Sequence, residues 1–518
     1  MASIGSKINY LYLFLILFFA SFIYLYKLAS IPSGTYSDEA TIGYNAYSIA
    51  TTGKDEYGQT APIAFRFFGA YTPPLYVYLV APLIKIFGLN TFYLRLPSIV
   101  FTLVGIILIY LFTHNLYTSL LFAICPWVVF NARLGYEVTA GYTIFYLGVY
   151  LFYQKFVHSK ISYLGLFLLS LSTYVAHPER YLVPIFLVVT SIVFYRQIFI
   201  KTNFIKIIIG STILLVSQIP NLILLFTPAF WVKNTTFILS DFISQYFTYI
   251  SPKFIFGPSP DINLQHTLPE IPLLYSWLII PFFIGLYQLY KIKKTDWGKF
   301  IIILFLLSPV PGAFSGHFIS IQRAIPLIFP IFFIISLGLK PIPKIFFPFL
   351  FIFSLVMLWR SYFVFFPINR AYWWSYGYDQ VASISQQNPN TFYVFDNTRN
   401  PATYMSFLYA LQYPPAQFQS NFSTNFVKNY YRNPPYNGNY TLNNISIHPI
   451  NWEKDIYQDL VIVGDSLTIS DSQAKEHFLT KIWEIKYPDN KIAFVAYKTN
   501  PLKKIADDKV KALRSRLP

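Results

Sequence analysis

At 518 residues, 55% hydrophobic and only 12% charged, with a mean hydropathy of +0.46, the chain is not an ordinary soluble protein and reads as a polytopic membrane protein. The formal charge of +17 raises nucleic acid as a partner, but the basic residues are scattered between apolar runs, and membrane lipids with anionic head groups suit them better. Cys125 is the only cysteine, which excludes an internal disulfide and a cysteine-based metal cluster.

In chain order, residues 8–28 form an apolar run long enough to cross a bilayer. No small-residue cleavage site follows, so a retained helix is expected and not a signal peptide. Next comes Tyr36-Ser37-Asp38-Glu39-Ala40, then Thr41-Ile42-Gly43-Tyr44-Asn45-Ala46-Tyr47, which reads as a short amphipathic helix. Asp38 and Glu39 then occupy its first turn, where free N–H groups and the helix dipole stabilise negative charge. Such a pair is ordinarily a helix-start signal. At a membrane surface, in a chain with few carboxylates, it reads as functional. A polar turn, Gly53-Lys54-Asp55-Glu56-Tyr57-Gly58, and the motif Tyr71-Thr72-Pro73-Pro74-Leu75-Tyr76 follow. The apolar stretch 75–87, about thirteen residues interrupted by Lys85, suits an interfacial or re-entrant helix better than a span.

With that helix left out, further spans are expected at 95–112, 116–130, 140–156, 161–176, 181–195, 204–226, 271–290, 300–311, 324–339 and 345–366, about eleven in all. If the N-terminus lies inside, the densest basic clusters all fall on the cytoplasmic side: Lys160; Arg196, Lys201 and Lys206; Lys291, Lys293, Lys294 and Lys299; Lys340 and Lys344. The conspicuous polar groups then share the opposite, external side: Asp38 and Glu39, Arg133-Leu134-Gly135-Tyr136-Glu137, His177-Pro178-Glu179-Arg180, His266 with Glu270, and Gly316-His317 with Gln322-Arg323. An external cavity lined by carboxylates and cations is the economical reading. Each group also has a structural explanation. Arg133 and Glu137 form an i,i+4 pair, Glu179 and Arg180 an ion pair, and Arg95 and Arg323 are placed as snorkelling anchors. That explanation is preferred for Arg95, Glu137 and His266, whereas the shared side favours function for Asp38, His177, Arg180 and Arg323. His177 and His317 lack ligand spacing and make a weak metal signal.

After residue 366 the long apolar runs end and Asn, Asp, Lys and Pro increase. Helices are expected at 379–387 and 401–412, strands at 391–396 and 459–465, a hairpin within 481–498, a loop over 421–444 and a solvated basic helix over 503–516. The chain thus divides into a membrane domain, 1–366, whose first external loop is 29–94, and a small extracytoplasmic α/β domain, 367–518.

Several motifs recur in a fixed order: Asp38-Glu39-Ala40 with Gly43-Tyr44-Asn45-Ala46, Tyr71-Thr72-Pro73-Pro74-Leu75-Tyr76, Arg95-Leu96-Pro97-Ser98, and Pro126-Trp127 with Arg133-Leu134-Gly135-Tyr136-Glu137. His177-Pro178-Glu179-Arg180, Ser308-Pro309-Val310-Pro311 and Gln322-Arg323-Ala324 continue it, up to Trp374-Ser375-Tyr376-Gly377-Tyr378. This order resembles glycosyltransferase family 39 and its relatives, the protein O-mannosyltransferases and aminoarabinose transferases of the GT-C class.

The resemblance implies a GT-C-like fold in the cell membrane, with juxtamembrane helices in the first external loop and an extracytoplasmic active site. It implies transfer of a sugar, with inversion, from a polyprenyl-phosphate donor to an acceptor protein, lipid or glycan. Asp38 would be the catalytic base and Glu39 would orient the site or a metal. Arg323, Arg180 and His177, in that order, would stabilise the leaving phosphate, with Arg133, Glu137, Tyr71 and His317 as further substrate contacts. No cofactor is required, and a divalent metal at Asp38, Glu39 or His177 stays open. One departure stands out: many relatives place Lys or His before the Pro-Pro pair, where this chain has Thr72. Either Arg66, Lys85 or an arginine from another loop takes over the phosphate, or the donor is held differently. A transporter or flippase of lipid-linked saccharides, or an inactive scaffold of the same fold, are the alternatives.

Overall fold

The computed structural model of the protein describes residues 2–156, 160–199, 204–232, 237–258, 264–316 and 319–514. The chain begins with helix α1 (Ala2–Leu25), then α2 (Ser37–Thr52), the hairpin strands β1 (Phe65–Phe67) and β2 (Ala70–Thr72), and α3 (Leu75–Phe87). Helices α4 (Thr91–Thr113), α5 (Leu116–Ala123), α6 (Pro126–Ala132), α7 (Val138–Phe156), α8 (Tyr163–Ser172) and α9 (His177–Val193) follow.

Among the described residues, five helices are long and apolar enough to cross a membrane: Ile8–Leu25, Thr91–Thr113, Asp296–Ala313, Ile321–Leu339 and Phe346–Asn369. The pair Phe204–Ser217 and Ile219–Leu225, bent by 53°, makes a sixth if taken as one span. The other expected spans coincide with helices that are shorter, broken or more polar. The 116–130 run divides into α5 and α6 because Pro126 has no N–H to continue the ladder and opens a new helix instead. The 161–176 run holds only the ten-residue α8. Leu75–Phe87 is a single helix of 13 residues, consistent with its being too short for a span.

The bundle core is mostly Phe, Ile and Leu, with Tyr146 and Phe329 stacked at 4.1 Å across it. Two helices of this core touch backbone to backbone. A Cβ on Gly338 would sit 1.8 Å from the Pro281 carbonyl oxygen, and one on Gly285 would sit 2.0 Å from that of Ile334. Ser276–Ile292 and Ile321–Leu339 therefore meet through glycine, the close approach that small residues permit between apolar helices.

The C-terminal stretch folds around a mixed six-stranded sheet: β3 (Tyr393–Phe395), β4 (Tyr440–Leu442), β5 (Ile445–Ile447), β6 (Val461–Gly464), β7 (Thr480–Lys486) and β8 (Ile492–Lys498), in the order β4-β5-β3-β6-β8-β7. β3 runs parallel to both β5 and β6, and the remaining pairs are antiparallel. The expected helices appear as Tyr378–Gln387 and Thr403–Ala410, the hairpin as β7–β8, and the basic helix as Pro501–Arg514. The 421–444 segment is not a plain loop. It carries the short helix Thr424–Lys428 and ends in β4, which is formed by its ladder with β5. The α/β part docks on α2: Tyr44 Oη donates to the Tyr413 carbonyl at 3.0 Å, and Gln419 Nε2 reaches Ser48, Thr52 and the Asp55 carbonyl.

Candidate active site

The two adjacent acids at the start of α2 do different things. Glu39 is fully buried and paired with Arg95, which reaches it from α4. Arg95 Nε and Nη2 donate to its two carboxylate oxygens at 2.7 and 2.8 Å, and the Gly135 N–H donates to Glu39 Oε1 at 2.7 Å. The rest of the guanidinium donates to the carbonyls of Leu28, Pro32 and Gly34. Arg95 is therefore not a snorkelling anchor. Its planar fork ties together the α1–α2 linker, α2 and the 133–135 turn, and both Glu39 oxygens are engaged by it.

Asp38, one residue earlier, is half-buried, and its Oδ2 accepts the Tyr36 hydroxyl at 2.8 Å. Burial first, and the Asp38 charge second, push the Tyr36 hydroxyl well above its ordinary range, so it stays a donor. The Tyr36 ring meets Tyr136 at 5.9 Å, His266 at 5.8 Å and Trp374 at 5.4 Å, all edge-on. Burial lowers His266 to about 4, so this imidazole is neutral at ordinary pH. Tyr136 lies within electrostatic reach of Glu137, Asp38 and Arg323. Arg323, half-buried on the short helix Ile321–Ala324, donates from Nη1 to Ser315 at 3.2 Å. Beside it, the buried Gln322 amide has neither its nitrogen nor its oxygen hydrogen-bonded.

Arg180, in the first turn of α9, heads a separate groove of about 220 Å³. Its apolar walls include Val183, Leu187, Leu214, Leu222 and Leu225, and its polar end is Thr173, Gln218 and Asn221. Arg180 Nε donates to the Thr173 carbonyl at 3.2 Å, while its buried Nη2 has no hydrogen-bond partner. The groove lies at the bend between Phe204–Ser217 and Ile219–Leu225, where Asn221 reaches Thr173 at 3.0 Å. Tyr181 is within electrostatic reach of both Arg180 and Arg323.

The other expected residues are distributed differently. Arg133 does not pair with Glu137, because α6 ends at Ala132 and the two do not share a helix. Its guanidinium donates to the carbonyls of Ile23, Tyr24, Lys27 and Ile31 and lies over the Tyr362 and Phe363 rings, so it holds the end of α1 instead of a substrate. Those two rings belong to a π-helical turn, Trp359–Phe365. Glu137 is buried, within electrostatic reach of Glu179, whose Oε2 has no hydrogen-bond partner. Arg66 is 1% exposed, sits over Tyr57 and Phe426, and donates to the Pro434 carbonyl, as Tyr71 does to that of Tyr430. Arg66 and Tyr71 thus serve the contact between the β1–β2 hairpin and the C-terminal part. Thr72 is buried at the end of β2, Lys85 is exposed on α3, and His177 opens α9 half-exposed. His317 lies outside the described residues. Among the described residues no three His, Cys, Asp or Glu side chains converge on a metal-sized site, and Glu39 is engaged by Arg95.

No protein-family model and no curated protein matches the sequence. Solved structures do. The apo crystal structure of ArnT from Cupriavidus metallidurans superposes with a TM-score of 0.55 at 12% identity, over 96% of this chain and 98% of that one. The crystal structure of the same protein bound to undecaprenyl phosphate gives 0.53 at 12% identity, over 93% and 97%. The chain has a GT-C fold. The likeness extends across nearly the full length of both chains. Within it, sequence reasoning missed Arg95 as a partner of Glu39, the Tyr36–Tyr136–His266–Trp374 ring cluster, and the Gln218–Asn221 end of the groove. The signal for the last was available, since Gln218, Pro220 and Asn221 interrupt an otherwise apolar run.

Proposed function

We propose that the protein transfers a sugar from a polyprenyl-phosphate carrier to an acceptor hydroxyl on the external side of the membrane. The observation that carries this reading is Asp38, a half-buried carboxylate held by Tyr36 at a helix start, with Tyr136 within electrostatic reach of both Asp38 and Arg323. The apolar groove walls suit a prenyl chain, and the unsatisfied Arg180 Nη2 suits the phosphate at its head. A neighbour of the same fold was crystallised with undecaprenyl phosphate, which supports that assignment.

In the proposed reaction Asp38 accepts the acceptor hydroxyl's proton as its oxygen attacks the anomeric carbon. The bond from that carbon to the phosphate oxygen breaks, and its electron pair leaves on the lipid phosphate. Arg323 and Arg180 stabilise the charge that develops there. One carboxylate acting as base, with no covalent sugar intermediate, inverts the anomeric centre. Glu39 and Arg95 act by positioning Asp38. Thr72 leaves the phosphate to an arginine, and the groove makes Arg180 the choice over Arg66 and Lys85.

The test is transfer from radiolabelled polyprenyl-phosphate sugars by purified protein, with a membrane extract as acceptor. Asp38→Asn is expected to lower the rate by ~10²–10⁴-fold, the usual worth of a general base, while inserting and folding normally. Wild-type rates from that variant would remove Asp38 from the mechanism. Wild-type protein that transfers no label from any donor would move the reading to a transporter or scaffold.

A further inference from the structure

In the C-terminal sheet β5 pairs with one side of β3 and β6 with the other, so the crossovers diverge at β3. In α/β sheets ligands bind in the crevice beyond the carboxyl ends of the strands at such a divergence. Here Asp396 directly follows β3 and Asp465 directly follows β6, and the Asp396 N–H donates to the Val463 carbonyl at 2.9 Å. A cavity of about 270 Å³ lies at this position, and Asp396, Arg399, Asn400 and Asp465 line it. A second cavity of about 590 Å³ adjoins it and shares Tyr372, Arg399, Asp465 and Tyr487, so the two form one elongated cleft.

The cleft's chemistry is specific. Flat aromatic faces stand along it: Tyr372 is 59% exposed and Trp373 44%, and Tyr487 lies 6.1 Å from Tyr372 and 5.9 Å from Tyr376. Carboxylate, guanidinium and amide groups line it as well, from Asp396, Asp465, Arg399 and Asn400. Arg399 pairs with Asp465, and although burial opposes ionisation, that guanidinium holds the Asp465 carboxyl below its ordinary range. Rings for the C–H faces of pyranoses and mixed donors and acceptors for hydroxyls are what a polyol chain needs. A peptide would be expected to add along a sheet edge, at β4 or β7, and not across the ends of central strands.

Ser37 and Gln265 also line the first of the two cavities. Ser37 precedes Asp38, and Gln265 precedes His266, whose ring packs on Tyr36. We propose that this cleft binds the acceptor, and that the acceptor is a saccharide chain longer than one sugar, laid so that a terminal hydroxyl reaches Asp38. The proposal rests on the transferase reading for its role and on the cleft alone for its ligand class.

The experiment is ligand-observed saturation-transfer NMR on the full-length protein in detergent, titrated with neutral linear trisaccharides of glucose, mannose and galactose and with an unstructured polar dodecapeptide. At least one trisaccharide is expected to bind, and Tyr372→Ala and Trp373→Ala, both at exposed positions, to weaken it at least tenfold. In the transfer assay the same variants are expected to raise the acceptor KM by a similar factor with kcat within about twofold. Asp38→Asn is expected to bind the trisaccharide as wild type does. No binding by any trisaccharide, binding unchanged in both aromatic variants, or binding of the dodecapeptide alone overturns the proposal while leaving the transferase reading intact. Full transfer by Asp38→Asn with intact trisaccharide binding sinks the catalytic assignment and keeps the cleft.

Discussion

Arg95 is the residue whose replacement should cost the fold most. In Arg95→Met a side chain of similar reach keeps the packing, but the Glu39 carboxylate stays buried with the Gly135 N–H as its remaining donor. The carbonyls of Leu28, Pro32 and Gly34 lose their guanidinium donors together. Breaking a buried pair from one side costs ~3–5 kcal/mol, and the three orphaned carbonyls place the expected loss near the top of that range. Adding Glu39→Leu removes the uncompensated charge and is expected to restore about half of the loss, since a buried pair replaced by apolar groups is often neutral. Arg95→Lys keeps the charge but not the fork, and should fall between wild type and Arg95→Met. Thermal unfolding of the detergent-solubilised proteins, read as the order of midpoints, checks the set. An Arg95→Met protein as stable as wild type, or a double variant worse than the two single losses added, would refute the coupling.

Arg180→Ala is expected to raise the donor KM and lower transfer by ~10²-fold while leaving thermal stability unchanged, and initial rates over a donor series will show it. Burial pushes the Asp55 carboxyl up to about 7, against the Tyr57 and Gln59 N–H groups that donate to it. The folded state then holds a proton that the unfolded chain releases near pH ~4, so stability present at acidic pH falls as pH rises to about 7 and levels off above it. Asp55→Asn keeps the oxygen that accepts from Tyr57 and Gln59 and should flatten this fall in a pH series of unfolding midpoints. Gly338→Ala forces a methyl group onto the Pro281 carbonyl and should destabilise the bundle by ~1–3 kcal/mol or more, read by the same unfolding assay; an unchanged midpoint would deny the backbone contact.

Hydropathy made the class and the helix positions legible, because apolar length is a local property. The breaks were less so. Pro126 and Gln218 lie inside runs that a window averages across, and only their backbone chemistry marks where α5 gives way to α6 and where 204–225 bends. The strands β3 and β6 were readable as short apolar runs, whereas β4 exists through its partner and lay hidden in a stretch rich in Asn, Tyr and Pro. At the candidate site, the place of Asp38 in the first turn of a helix was legible. Arg95 was not, since a cation near the end of an apolar helix looks the same whether it faces head groups or a carboxylate 56 positions away. The same limit misled the reading of Arg133, whose sequence spacing to Glu137 has meaning only on one helix.

The pairing of Glu39 with Arg95 separates shape from the proposed chemistry between neighbouring letters of the sequence. Successive residues on a helix point about 100° apart, so the two acids leave α2 in different directions, Glu39 fully buried on Arg95 and Asp38 half-buried on Tyr36. Shape depends on residue 39, and the proposed chemistry on residue 38. A descendant of this protein that lost Asp38 alone would still insert, still fold and still superpose on its ancestors. Under the proposed mechanism a single carboxylate would tell such chains from transferring ones, and neither overall likeness nor the conspicuous Glu39–Arg95 pair would distinguish them.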